Sequence, residues 1–174
     1  MDLQKFIALD VGNTNEWEEL TRLSIVVEKI LREDNKVERN LSVRAKCQIS
    51  NVYRVVMGDT KKANIVANEA IKLCRKKGFF KSEALVKPNV EASAIACLAS
   101  SLELNGKLKE AERELNRALK VVPSDARVDR ARYRQNLAGL IRKKGDLNEA
   151  MKLYSNVLKE FESIYGKDTP NKYI

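Results

Sequence analysis

Apolar residues recur at helical spacing along most of this chain, and three glycines punctuate them. Ile95, Leu98, Ala99 and Leu102 fall at i, i+3, i+4 and i+7 before Gly106, and Leu108, Ala111, Leu115, Ala118 and Leu119 continue the stripe after it. The spacing predicts two helices meeting at a small-residue crossing. Gly145 repeats the frame, with Leu137, Ala138 and Ile141 before it and Leu147, Ala150, Tyr154, Val157 and Leu158 after. Around Gly58 the match is looser. Ile49, Ser50 and Tyr53 stand one residue farther from the glycine, while Ala63, Ala67, Ala70 and Ile71 follow it, which predicts a distorted hairpin. The turns share a phrase, GDTKKA at 58–63, GKLKEA at 106–111 and GDLNEA at 145–150. A hairpin that cannot bury its own apolar face must stack on its neighbours, so such repetition predicts a stacked array.

Turn and cap residues set the expected boundaries. Pro123 ends one helix and Ser124 or Asp125 is placed to cap the next; Gly78 suits a helix C-terminus and Pro88 a helix start. Asn15 and Glu18 have capping-box spacing before Trp17, Leu20, Leu23, Ile25, Val26, Ile30 and Leu31, an apolar helix. The expected organisation is one domain: a degenerate capping hairpin over 1–36, hairpins over 37–78, 91–125 and 126–165, an insertion over 79–90, and a tail over 166–174. Residues Pro170–Ile174 fall where another repeat would begin, as in a piece of a longer array.

Composition narrows the class. At 174 residues, 44% hydrophobic and 33% charged, the chain suits a single all-α domain. It has no apolar run long enough to span a bilayer and no signal-peptide pattern, so the expectation is a cytoplasmic protein without membrane insertion. Cys47, Cys74 and Cys97 form no CxxC pair and the chain has no histidine, which predicts reduced structural thiols, no metal and no cofactor. The net charge of +9 divides unevenly: −3 over 1–40, +8 over 41–90, zero over 91–130 and +4 over 131–174. Such a field suits an acidic peptide, RNA or anionic lipid.

The order of small residue, larger apolar residue, Gly, Ala, large apolar residue, Ala and Pro resembles the tetratricopeptide repeat. Ala92–Asp125 carries it through Leu98, Ala99, Leu102, Gly106, Ala111, Leu115, Ala118 and Pro123; Ala131–Ile164 departs with Glu162 in place of proline, and Val43–Arg75 matches least. Glycine spacings of 48 (Gly58 to Gly106) and 39 (Gly106 to Gly145) exceed the family period of about 34 residues. Such longer, unequal helices look like those of bacterial regulators of the MalT type and of kinesin light chains. The resemblance implies a right-handed α-solenoid of antiparallel hairpins, whose first helices line a concave groove that takes a protein or peptide segment. Carried over unit by unit, the groove residues are Arg44, Cys47, Gln48 and Asn51; Ser93, Ala96, Cys97, Ser100 and Glu103; and Arg132, Gln135, Asn136, Gly139 and Arg142. Asn51, Arg132 and Asn136 match positions of the family's carboxylate clamps, but Cys47, Ser93 and Cys97 occupy places where a complete clamp has other residues. The implied function is a non-catalytic scaffold for an acidic peptide, with Asn51, Gln135 and Asn136 pairing its backbone and Arg44, Arg132 and Arg142 its charge.

Two alternatives come from other classes. Arg127, Arg130, Arg132, Arg134, Arg142, Lys143 and Lys144 could bind RNA phosphates, although the groove lacks aromatic stacking partners. The array could equally be the ligand-sensing part of a larger regulatory ATPase or transcription factor. Phe6–Asn15, FIALDVGNTN, resembles the first phosphate-binding strand and turn of the acetate and sugar kinase superfamily, in which Asp10 would hold a metal and Gly12–Thr14 would approach phosphate. No second phosphate loop follows, and the segment after it reads as helix, so a helix–turn–helix is expected and an enzyme is not.

Overall fold

The computed structural model describes residues 3–33, 37–75 and 86–166. Among these residues all regular structure is helical: α1 (Leu3–Ala8), a 3₁₀ turn (Thr14–Glu16), α2 (Trp17–Glu33), α3 (Arg39–Asn51) continuing into a π-helical turn (Val52–Val56), α4 (Thr60–Arg75), α5 (Pro88–Leu104), α6 (Leu108–Val121), α7 (Arg127–Lys143) and α8 (Leu147–Tyr165). Gly78, and most of the 79–90 segment, lie outside the described residues, as does the tail from 167 on.

The turn glycines are required by their backbone. Gly106 and Gly145 have φ of +74° and +95°, where a side chain is strained. At Gly106 the amide of Lys107 reaches the Leu102 carbonyl at 2.9 Å and the glycine amide reaches Glu103 at 3.0 Å; Asp146 to Ile141 (3.3 Å) and Gly145 to Arg142 (3.0 Å) repeat the same pair of bonds at the next turn. Both are Schellman caps, which satisfy the last carbonyls of α5 and α7 and aim α6 and α8 back along them. The first hairpin differs as its extra residue predicts: α3 widens into the π turn before Gly58.

Helices α3 with α4, α5 with α6 and α7 with α8 pair as hairpins, and neighbouring hairpins pack in chain order. α5 is the central element, packed on α3, α4 and α6. It is apolar nearly all round, and buries Ala92, Ala94, Ile95, Ala96, Cys97, Leu98, Ala99 and Leu102. The many alanines let neighbouring helices approach closely, while Ile95 and Leu98 each supply about 1.5–3 kcal/mol of burial. α8 packs chiefly on α7, through a small cluster of Ala131, Val157 and Phe161. At the other end Phe6, Leu20, Val27, Ile49 and Val52 hold α1 and α2 against α3.

Three local expectations are corrected. The N-terminal cap is Asn13, not Asn15: its side chain accepts the Asn15 amide at 3.1 Å, and Glu16 closes the loop by accepting from the Asp10 amide (2.9 Å) and the Asn13 side-chain amide (3.0 Å). An asparagine two residues earlier closes an Asx turn there, and so takes the role. Neither Ser124 nor Asp125 caps α7; its N-cap is Ala126, which has no side-chain acceptor. Ile25 and Val26 lie on the outer face of α2 and are exposed at 60% and 42%, because only one stripe of that helix meets α1 and α3. The FIALDVGNTN phrase folds as helix, turn and helix, with the Asp10 carboxylate accepting the Gly12 amide at 2.8 Å.

Candidate functional site

Of the residues carried into the groove, five are exposed along α3, α5 and α7: Arg44, Ser93, Arg132, Asn136 and Arg142. Arg44 and Ser93 meet at one cavity of about 590 Å³, which Gln4, Glu38, Asn40, Lys87 and Asn89 complete. The cavity forms because the start of α5 is tied to the start of α3, the Lys87 amide donating to Asn40 Oδ1 at 2.8 Å. Among the described residues Glu38 is the one carboxylate that lines it. Desolvation pushes its carboxyl up, but the amides of Asn40 and Leu41 and the Asn40 side chain outweigh this and hold it below its ordinary value. Arg44 and Lys87 thus face one ionised carboxylate, which leaves the lining with an excess of one positive charge.

From Ser93 the surface continues to α7. Ser93 Oγ donates to the Asn89 carbonyl at 3.0 Å and lies 3.3 Å from the Tyr133 hydroxyl. Tyr133 is buried at 7% exposure, and burial raises its pKa. It is one polar link between the second and third hairpins, and sequence reasoning missed it. The available signal was an aromatic residue between two arginines at a core-facing helical position; its partner forty residues away is a tertiary fact.

The other carried-over residues are buried or half-buried. Gln48 is buried and donates to the Leu9 carbonyl at 2.7 Å, which anchors the N-terminal segment on α3. Cys97 is buried between helices; its thiol faces the Cys47 carbonyl at 3.6 Å and Asn51 Oδ1 at 3.9 Å. The neighbouring Cys97 thiol and burial push the Cys47 thiol well above its ordinary value. Asn51 also accepts from Arg54 Nη2 at 3.2 Å, so its carbonyl is engaged. Ser100 donates back to the Ala96 carbonyl at 3.2 Å, as helical serines do. Gln135 is half-buried, Ala96 is buried, and Glu103 is paired with Lys143 at 2.6 Å. Gly139 turns toward α8, where a Cβ would meet the Tyr154 hydroxyl at 3.2 Å.

No protein-family model matches this chain. No curated protein matches it either. No cluster of His, Cys, Asp and Glu able to hold a metal occurs among the described residues, and no helix there is long and apolar enough to cross a membrane.

The basic cluster around α7 divides in two. Arg134, Lys143 and Lys144 are paired with Glu160 (2.6 Å), Glu103 (2.6 Å) and Glu112 (2.7 Å). Arg127 and Arg130 donate to neutral oxygens, Arg127 to Ser163 Oγ at 2.8 Å and Arg130 to the Leu119 and Val122 carbonyls at 3.3 Å each. Arg130 so closes the C-terminal end of α6.

Proposed function

We propose that this chain is a non-catalytic interaction module, a right-handed α-solenoid of tetratricopeptide-like hairpins that holds an acidic peptide segment along α3, α5 and α7. The observation that carries this reading is the cavity shared by Arg44 and Ser93, two positions 49 residues apart that the repeat register assigns to one groove. Arg44 and Lys87 supply two positive charges there against the one acid lining it, Glu38. Ser93 and Asn89 supply adaptable hydrogen bonds, and Arg132 and Asn136 extend the path along α7.

A peptide fits this surface better than RNA does. Tyr133 is the aromatic on the path and its ring is buried, which leaves no platform for base stacking. Three cations of the α7 cluster are neutralised by carboxylates, which weakens the field a phosphate backbone would follow. The module belongs in the cytoplasm, where its three cysteines stay as thiols.

Selection from a random peptide library tests the reading. Enrichment of acidic sequences is expected, with affinity falling about tenfold or more between roughly 0.1 and 0.5 M salt and for the Arg44→Glu variant. Failure to enrich, or binders indifferent to Arg44→Glu, would overturn it.

A further inference from the structure

A second cationic site lies away from that groove, where the loop before α7 meets the end of α8. Arg127, Arg130 and Arg134 line one cavity of about 240 Å³ together with Ser124, Ile164 and Glu160, the one acid lining it. With three arginines and one carboxylate, the described residues lining it carry two positive charges more than negative ones. Glu160 engages Arg134 at 2.6 Å, while among the described residues Arg127 and Arg130 donate to neutral acceptors. Like charges held together cost energy, and two of these stand in the first turn of α7, where the helix dipole is also positive. The N-cap residue there, Ala126, offers no side-chain oxygen to the first amides.

We infer that this cavity is a binding site for a compact tetrahedral dianion, a phosphate group. Guanidinium groups present paired N–H donors that match phosphate oxygens bidentately, and three arginines line this one cavity. The volume admits a phosphate with its ordered water but leaves little room for a nucleoside, and Ile164 is the sole hydrophobic residue lining it, so no base platform exists. Arg130 uses Nη1 alone, in two long bonds, which leaves its other donors for a ligand. Glu160 acts as the internal competitor: an entering phosphate takes over Arg134 from it.

The test is a heteronuclear NMR titration of the full chain with inorganic phosphate and, separately, O-phosphoserine, each against sodium chloride at matched ionic strength, up to about 20 mM. The expected result is saturable shifts confined to amides of 124–134 and 160–164, weakened about tenfold by Arg127→Gln and tightened by Glu160→Gln, which removes the competitor. Tighter binding of phosphoserine places the phosphate on a modified side chain, and equal binding makes the free anion the ligand. Shifts no larger than those with chloride would overturn the site, as would binding indifferent to Arg127→Gln. Arg127→Lys separates the two causes of loss: it keeps the charge, and weakened binding then reports the bidentate fork.

Discussion

The Asp59 amide donates to the Tyr53 carbonyl at 2.8 Å, a span one residue wider than Lys107 to Leu102 or Asp146 to Ile141 at the other two glycine turns. The π turn absorbs the residue by which the first hairpin departs from the others. Deleting Val55 should convert this turn to regular α-helix and preserve a cooperative melt within a few degrees of the parent. Deleting Ala99 from α5 rotates the remaining face by about 100° and should abolish the transition. Thermal unfolding followed by circular dichroism checks both, and loss of cooperativity in the Val55 deletion would contradict the π-turn account.

Ser101 Oγ is buried and has no hydrogen-bond partner among the described residues. Its desolvation is uncompensated, so Ser101→Ala should stabilise the fold by about 1 kcal/mol, a rise of roughly 2–4 °C in Tm for a chain of this size. A urea melt with unchanged slope and a higher midpoint is the expected outcome; a lower midpoint would mean that the hydroxyl has a partner.

The carboxylate of Glu38 accepts the first amides of α3, from Asn40 at 2.9 Å and Leu41 at 3.0 Å, and its pKa is lowered from the ordinary 4.5. A lowered folded pKa means that the stabilisation is present above the unfolded value and is lost as pH falls through the folded one. Glu38→Ala should therefore cost about 1 kcal/mol at pH 7, with the difference from the parent vanishing as acidification passes through the lowered pKa of the folded state. Equal costs at both ends of the range would show that the cap does not depend on the ionised form.

Burial raises the Cys74 thiol to about 11. The thiolate is the nucleophile, so at pH 8 alkylation of Cys74 in the native protein should run about 100-fold slower than in urea. The sign for stability follows: the raised pKa favours the folded state below about pH 9, and that contribution disappears as pH passes through about 11. Mass spectrometry of the labelled peptide gives the rate; alkylation as fast as in urea would place Cys74 in solvent.

Gln48 ties α3 to the N-terminal segment through the Leu9 carbonyl. Replacement by Ala should cost about 1–3 kcal/mol and speed hydrogen exchange selectively in α1 and α2. Exchange that rises evenly through the chain would indicate that the N-terminal helices are held by their apolar contacts alone.

Residue periodicity and turn chemistry made the helical class and the turns legible. Gly106 and Gly145 each sit between two apolar stripes, and a positive φ is what such a glycine provides. Pro88 marks the first residue of α5 as expected, since a missing amide proton costs nothing there. Caps were less legible: Asn13 and Asn15 have the same local chemistry, and only the path of the chain back to Asp10 selects between them. In the groove, helical register placed Arg44 and Ser93 on an accessible surface but could not separate them from Gln48 and Cys97, one turn further along the same helices, because burial depends on what the neighbouring segment covers.

Local chemistry, carried by 3.6-residue periodicity and by glycines and prolines at positions that demand them, thus determined by itself where helices form and turn back. Tertiary packing alone decided which polar side chains stay outside. Leu9 covers Gln48, Tyr133 reaches Ser93 forty residues away, and α8 brings Glu160 to Arg134. These pairings depend on how the hairpins stack, and a through-space contact leaves no periodic trace in the residues that make it.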